Sequence, residues 1–146
     1  MIWIASGVLV MFMLFTFWVI HSWSSMAIIG LENVNTEATE IFISVLIPVR
    51  NEESNIEAAL DSILKNKIDH VTYEVIVIDD HSEDSTCDLV ASITKQHSHL
   101  KLIHLGDGFS GKKYAIETGV AVAQGEIILC TDGDCIVPER WIQCYL

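Results

Sequence analysis

From residue 42 onward, short apolar runs alternate with segments that have helical periodicity. Four runs predict β-strands: ISVLIPV (43 to 49), YEVIVI (73 to 78), LKLIHL (100 to 105) and EIILCT (126 to 131). The first two are almost continuously apolar, which is typical of strands buried on both faces of a sheet. Strands that alternate with helices are joined by right-handed crossovers and form a mostly parallel sheet. The sequence therefore predicts an α/β fold.

The segments between these runs predict helices. Apolar residues of the first segment fall at i, i+3, i+4, i+7 and i+8 from Ile56, and Ser54 is placed to cap its amino end. We expect a second helix from about residue 83 to 97 and a third from 112 to 123. Pro138 stands where a further helix would begin.

The first 31 residues are physically different from the rest of the chain. They contain no Asp, Glu, Lys or Arg, so the formal charge of −12 belongs to residues 32 to 146. Residues 2 to 20 would form a helix about 28 Å long, close to the roughly 30 Å core of a bilayer. We expect one uncleaved transmembrane anchor within residues 1 to 31, followed by a polar linker over 32 to 41. A cleaved signal peptide ending near Ala27 is the alternative, although no basic residue precedes the apolar run.

The charge and the cysteines limit the partners and the compartment. A chain this acidic lacks the basic surface that nucleic acid requires, so we expect no nucleic-acid partner. The four cysteines have neither CxxC nor zinc-finger spacing. They are expected to be buried thiols of a reducing compartment, which favours a cytoplasmic domain.

Polar and charged residues follow every predicted strand. In a parallel sheet, ligands bind beyond the carboxyl ends of the strands, which lie along one edge. Each cluster taken alone is compatible with turn and capping roles. The adjacent carboxylates of Asp79 and Asp80 favour a binding site, because like charges held close need a cation or a donor to relieve them. The clusters are residues 48 to 53, 79 to 84, 106 to 113 and 132 to 134, and they include Asp79, Asp80, Lys112, Asp132 and Asp134.

The pair Asp132 and Asp134 follows the fourth predicted strand. Residues i and i+2 of a strand point to the same side, and Gly133 leaves room for the backbone to turn. Oxygen ligands of this kind suit Mg²⁺ or Mn²⁺ shared with a diphosphate. Lys112 and its neighbour Lys113 would add positive charge, so a nucleoside diphosphate fits this edge. The flanking cysteines at 130 and 135 are expected to pack rather than to bind the ion.

Two other families use similar local motifs. The segment GDGFSGKK, residues 106 to 113, has P-loop spacing, but Lys113 replaces the Ser or Thr that holds magnesium, and the segment follows the third strand. The Asp-x-Asp motif of haloacid-dehalogenase phosphatases normally follows the first strand. The dinucleotide fingerprint GxGxxG does not follow Val49. A P-loop nucleotidase remains an alternative hypothesis.

Four segments together resemble family 2 glycosyltransferases of the membrane-anchored bacterial type. They are SVLIPVRNEE (44 to 53), YEVIVIDDHSEDST (73 to 86), GKKYAIETGVAVAQGEIIL (111 to 129) and TDGDCIVPERW (131 to 141). The resemblance implies a Rossmann-like GT-A fold, with residues 42 to 146 as its amino-terminal, nucleotide-binding part. It implies metal-dependent transfer, with inversion, of a sugar from a UDP- or GDP-sugar to a lipid-linked or polysaccharide acceptor.

The same resemblance assigns roles to the residues after the first two strands. Pro48, Arg50 and Glu52 would line the pocket for the base and ribose. Asp80 would accept a hydrogen bond from the nucleobase imide, and Asp79 would support the loop.

The resemblance also assigns roles to the later residues of the motifs. Lys112 would approach the base, ribose or phosphates, and Asp134 would bind the divalent metal directly, with Asp132 contacting metal or ribose. The family's general base would lie beyond Leu146, so a carboxy-terminally truncated chain is expected. A non-catalytic, membrane-tethered binding module is the alternative function.

Overall fold

A computed structural model of the protein describes residues 11, 13, 15–17, 41–68 and 71–146. The chain divides into two compact units, Met1–Glu37 and Ala38–Leu146. The described residues of the first unit are helical. Most of the predicted transmembrane segment and the linker up to residue 40 lie outside the described residues. Among the residues that the structure describes, no helix is long and apolar enough to cross a membrane.

The second unit contains four strands in one parallel sheet. They are β1 (Phe42–Val49), β2 (Thr72–Asp79), β3 (Leu100–His104) and β4 (Ile127–Cys130). Their order across the sheet is β3-β2-β1-β4, and all three neighbouring pairs are parallel. The predicted α/β fold with a parallel sheet is therefore confirmed, and each strand lies within two residues of its predicted bounds.

Helices cover both faces of the sheet. They are α1 (Ile56–Leu64), α2 (Thr86–Thr94) and α3 (Lys112–Val122), followed by a 3-10 helix at Ile142–Tyr145. Side chains of α1 and α2 pack with Val45 and Val77 on one face. Ala115 of α3 packs with Leu46 and Ile78 on the other. Alternate residues of the central strands thus pack into two separate hydrophobic cores, one on each face of the sheet. This explains why these strands are apolar on both faces.

Two helix starts differ from the predictions. Helix α1 begins at Ile56 with Asn55 at its N-cap and no side-chain cap hydrogen bond, so the predicted capping by Ser54 is wrong. Helix α2 begins at Thr86, about three residues late. The preceding backbone amides are bonded instead to side chains of the β1–α1 loop, including Glu53, which accepts from the Ser85 amide.

The carboxy-terminal segment forms 3-10 structure rather than the predicted helix from Pro138. The Trp141 amide donates to the Pro138 carbonyl over 3.0 Å, which is an i to i−3 bond. Asn66 bonds both ends of this turn, because its amide group donates to the Pro138 carbonyl and its carbonyl accepts from the Ile142 amide. These tertiary bonds fix a turn where the sequence alone indicated a helix start.

A buried polar cluster joins the strands at the amino end of the sheet. The Glu74 carboxylate is 3 % exposed and accepts hydrogen bonds from the Ser44 hydroxyl, the Lys101 ammonium and the Gln124 amide, all within 2.8 Å. Ser44 Oγ in turn accepts from the Gly125 amide. No sequence motif indicated this cluster, which links β1, β2 and β3 to the segment before β4.

Candidate functional site

The strand order creates an opening at the carboxyl edge of the sheet. From β1 the chain adds β2 and β3 on one side and then returns to add β4 on the other. Parallel sheets bind ligands at such a switch point. A crevice of about 260 Å³ lies there and is called the β1–β4 crevice below. It is lined by Pro48, Val49, Arg50, Glu52, Asp80, Lys112, Ala115, Asp132, Gly133 and Asp134.

The loops after β1 and β2 are fixed by reciprocal hydrogen bonds. Asn51 has a φ of 55°, and its amide donates to Ser82 Oγ while its side-chain carbonyl accepts from the Glu83 amide. The Glu52 amide donates to Thr86 Oγ1 over 2.8 Å. A left-handed backbone is tolerated best by Gly, Asn and Asp, which suits Asn51. The polar residues of these motifs therefore hold two loops together at the edge of the crevice.

Asp80 lies at the wall of the crevice and is 5 % exposed. Its Oδ2 accepts from the Gly111 amide at 2.7 Å and from Ser110 Oγ at 3.4 Å, while His81 Nδ1 lies 3.2 Å from its Oδ1. Burial raises the pKa of Asp80, but these hydrogen bonds and the Arg50 charge offset it and leave the pKa below its ordinary value. Asp80 is thus a charged acceptor that also anchors the start of α3.

Asp79 points away from the crevice. It is 4 % exposed and accepts from the Ser82 amide, and His104 Nδ1 lies 3.3 Å from its Oδ2. Burial raises the pKa of Asp79, whereas hydrogen bonds from Ser82, Cys87 and His104 lower it to a value below the ordinary one. Successive residues of a strand point to opposite faces of the sheet, so Asp79 and Asp80 contact different groups. Of the predicted site residues, only Asp79 is outside the crevice lining.

Lys112 opens α3 and spans the crevice toward β4. Its ammonium forms an ion pair with Asp132 Oδ1, and this hydrogen bond raises the pKa of the lysine. The side chains are 59 % and 49 % exposed, so a ligand can reach both groups. Lys113 is outside the crevice lining and lies 3.8 Å from Glu117 on the surface of α3. The structure therefore distinguishes two lysines that the sequence presented together.

Gly133 brings the loop after β4 against the loop after β1. A Cβ atom added to it would lie 2.8 Å from Val49 Cγ1 and 3.2 Å from Glu52 Cγ. Its φ is not in the left-handed region, so glycine is required here for space rather than for an unusual backbone. The close approach holds Asp132 and Asp134 next to the residues that follow β1.

Asp132 and Asp134 offer ligand atoms to one ion. A carboxylate oxygen of each and the sulfur of Cys135 all lie within 4.8 Å of one another and are exposed. Two carboxylates fit Mg²⁺ or Mn²⁺, which take their remaining ligands from water and phosphate oxygens. Cys135 Sγ donates to Asp134 Oδ1 at 3.6 Å, which is a weak contact between exposed side chains.

The cysteines differ from the sequence-based expectation. Cys130, Cys135 and Cys144 are exposed, and Cys87 is half-buried. The prediction of four buried thiols is therefore wrong. The prediction that Cys130 and Cys135 are packing residues is wrong for the same reason.

The residues after β1 complete one wall of the crevice. Arg50 Nη1 lies 3.9 Å from Asp80 Oδ2 and 3.4 Å from Ser110 Oγ, with half of its side chain exposed. Glu52 accepts a hydrogen bond from the Asn55 side chain at 3.0 Å. Pro48 lines the same wall. Ser110 contacts both Arg50 and Asp80, a role that its position in a glycine-rich segment did not indicate.

The glycine-rich segment before α3 is not arranged as a P-loop. A P-loop points its backbone amides at phosphate groups. Here the Gly111 amide donates to Asp80, and Ser110 bonds to the same carboxylate. The hydrogen bonds of this segment therefore link the residue that follows β2 to the start of α3.

Comparison with known proteins identifies the family. The family profile described as "Glycosyl transferase family 2" matches residues 44–144. The chain belongs to this family. The glycosyltransferase AglE of Haloferax volcanii is 31 % identical over 102 residues, which are 70 % of this chain and 33 % of the relative. The family assignment made from the four motifs is thus confirmed.

Solved structures support the same assignment. The mannosyltransferase PcManGT of Pyrobaculum calidifontis, in complex with GDP-Man and Mn²⁺, has a TM-score of 0.63 and 32 % identity, covering 70 % of this chain and 30 % of that one. Residues 1–349 of S. aureus TarS, in complex with UDP, have a TM-score of 0.63 and 25 % identity. The match covers 72 % of this chain and 31 % of that one. The chain spans about one third of the length of these proteins. The sheet is accordingly the GT-A type that the motifs predicted.

Proposed function

We propose that the chain supplies the donor-binding part of a glycosyltransferase that uses a nucleotide-diphosphate sugar. The position of Asp80, Lys112, Asp132 and Asp134 in the lining of one crevice is the observation that carries this proposal. Complexes of the similar proteins with UDP and with GDP-Man support a nucleotide ligand. The choice between a UDP-sugar and a GDP-sugar is an outcome of the experiment below.

The walls of the crevice suit different parts of such a donor. Asp80 is ionised and can accept a hydrogen bond from the imide N–H of a base through the free lone pairs of its oxygens. Pro48, Arg50 and Glu52 line the space between Asp80 and the loop after β4, where base and ribose would lie. Lys112 would donate to phosphate oxygens, a contact that competes with its ion pair to Asp132.

A divalent ion would be held by Asp134, with Asp132 as its second carboxylate. The distances between their oxygens and the exposure of both groups suit Mn²⁺ or Mg²⁺. When bound, such an ion supplies positive charge that stabilises the departing diphosphate. The Lys112 ammonium adds a further positive charge next to Asp132, so both the ion and the lysine would stabilise the negative charge of the leaving diphosphate.

The transfer step also requires groups outside this crevice. We infer inversion of the anomeric centre, by attack of an acceptor hydroxyl opposite the leaving diphosphate. This step needs a base that removes the hydroxyl proton and a surface that binds the acceptor, and the chain spans only about one third of the length of its relatives. The uncharged segment over residues 1 to 31 supports a membrane anchor. The resemblance to membrane-anchored members of the family supports a cytoplasmic catalytic unit that faces a lipid-linked or membrane-bound acceptor.

Calorimetry on the purified chain tests donor binding. UDP and GDP are titrated separately into the chain with Mn²⁺ and then with EDTA. We expect one nucleotide to bind in a 1:1 complex and to bind at least about tenfold more weakly in EDTA, a change of about 1.4 kcal/mol. Asp134→Asn should remove the difference between the two conditions, because it removes a charged ligand of the ion.

Asp80→Asn provides a second and separable effect. It should weaken nucleotide binding by a similar factor with and without Mn²⁺, since Asp80 faces the base rather than the ion. Circular dichroism of each variant checks that the fold is retained. A folded chain that binds neither nucleotide in either condition would refute the proposed function.

A further inference from the structure

A cluster of mixed ligand atoms lies outside the β1–β4 crevice. Asp79 ends β2 and His104 ends β3, and the two are register partners across the sheet. Cys87 is the second residue of α2, which packs on this face. One ligand atom of each residue lies within 4.8 Å of the other two. Oxygen, sulfur and nitrogen ligand atoms therefore lie close together in this cluster, whereas the acidic groups that line the crevice offer only carboxylate oxygens.

We propose that Asp79, Cys87 and His104 form a Zn²⁺ site with a fourth position open to water. Zinc bonds to such atoms are about 2.0–2.3 Å long and tetrahedral, so neighbouring donor atoms lie roughly 3.3–3.8 Å apart. Asp79 Oδ2 and His104 Nδ1 are 3.3 Å apart, which already matches. The Cys87 sulfur lies within 4.8 Å of both other ligand atoms, so a side-chain movement of about 1 Å would bring it to the separation found in zinc sites. The His104 side chain is 63 % exposed, which gives the ion and a water molecule access.

The charges of the cluster balance those of the ion. Zn²⁺ bound to one carboxylate, one thiolate and a neutral imidazole forms a site with no net charge, which lowers the cost of partial burial. Binding displaces one proton, from the Cys87 thiol to solvent. Without metal, burial and the Asp79 carboxylate raise the pKa of Cys87 to about 11, so the thiol stays protonated and hydrogen-bonds to Asp79.

An ion at this site would stabilise the loop that carries Asp80. Asp79 already accepts from the Ser82 amide, so an ion on Asp79 would connect this loop to α2 and β3. The two metal sites differ in ligand chemistry. Cys87 and His104 supply sulfur and nitrogen, which favour Zn²⁺ or Co²⁺, whereas two of the three ligand atoms at Asp132, Asp134 and Cys135 are carboxylate oxygens, which suit Mn²⁺ or Mg²⁺. Zinc binding at Asp79 can therefore succeed or fail independently of nucleotide binding.

Cobalt spectroscopy tests the site on the full chain. A background variant carries Cys130→Ser, Cys135→Ser and Cys144→Ser, which removes the exposed thiols and leaves Cys87 alone. Titration with Co²⁺ should produce a thiolate-to-cobalt charge-transfer band that saturates at one ion per chain and disappears when Zn²⁺ is added. Adding Cys87→Ser should abolish the band.

A second variant tests the nitrogen ligand. His104→Gln in the same background should weaken Co²⁺ binding at least about tenfold, in line with the effect of losing a ligand or its support. His97→Gln is the matched control and should leave the affinity unchanged, since His97 contacts His99 and lies outside the cluster. Circular dichroism in EDTA checks the fold, and if Cys87→Ser does not fold, the exposed His104 variant decides. No charge-transfer band in the folded background, or full affinity in His104→Gln, would overturn the proposal.

Discussion

At the scale of single residues, the positions of the acids were predictable, but their partners were not. Asp80, Asp132 and Asp134 follow strands, and the carboxyl ends of parallel strands meet at one edge. Their surroundings depend on residues distant in sequence. The Gly111 amide meets Asp80 across 31 positions, and the space that Gly133 leaves is filled by Val49 and Glu52. Such contacts arise only once the loops are folded against each other.

The two lysines at the start of α3 provide a matched pair for the phosphate contact. We expect Lys112→Gln to weaken binding of the preferred nucleoside diphosphate about tenfold with Mn²⁺ present, because it removes a charge from the crevice. Lys113→Gln should change the affinity less than about twofold, since Lys113 is 81 % exposed and lies beside Glu117. Isothermal titration calorimetry measures both. Equal losses in the two variants would show that only the net charge of the chain matters.

At the scale of elements, apolar periodicity predicted strands better than helix ends. Strands β1 and β2 each have a run of buried or half-buried side chains, which the sequence displays directly. Helix α2 starts late because the amides of residues 83 and 85 donate to Asn51 and Glu53. The 3-10 turn before the carboxy terminus depends on Asn66 in the same way. Helix ends held by side chains from another loop leave no local signal in the sequence.

The Glu74 cluster predicts a pH-dependent stability that belongs to the sheet as a unit. Burial raises the pKa of Glu74, but the bonds from Lys101, Gln124 and Ser44 leave it below the ordinary value of 4.5. A lowered folded-state pKa stabilises the fold above the unfolded pKa, and this contribution is lost as the pH falls through the folded value. Glu74→Gln should therefore cost about 2 kcal/mol at pH 7, because it replaces a charge-assisted bond to Lys101.

Urea unfolding at several pH values measures this contribution. The difference in unfolding free energy between the original chain and Glu74→Gln should be largest at pH 7 and should shrink below about pH 4.5. Glu117→Gln is the control, because Glu117 lies on the surface of α3 with more than half of its side chain exposed. A Glu74→Gln difference that stays constant down to acid pH would contradict the assigned role of the carboxylate.

At the scale of the whole molecule, charge divides the chain into an uncharged part and an acidic part. The acidic residues and the sheet lie in the unit Ala38–Leu146 apart from the few acids of the preceding segment, while residues 1 to 31 have no charged side chain. All three strand pairings and both cores are formed within this second unit. A chain beginning at residue 38 should therefore fold and bind nucleotide without the first unit.

The membrane proposal predicts that removal of the first unit changes partitioning without changing nucleotide affinity. In Triton X-114 phase separation, the full chain should enter the detergent phase, because an apolar segment of about 20 residues is long enough to span the hydrocarbon core of a bilayer. The chain of residues 38–146 should remain in the aqueous phase. A full chain with Ala→Asp at position 5 and Val→Asp at position 10 should move toward the aqueous phase, since each buried carboxylate costs about 2.5–3.5 kcal/mol in a membrane segment. If the full chain remained aqueous while its nucleotide affinity equalled that of residues 38–146, the fold and the donor site would be retained but the anchor hypothesis would be rejected.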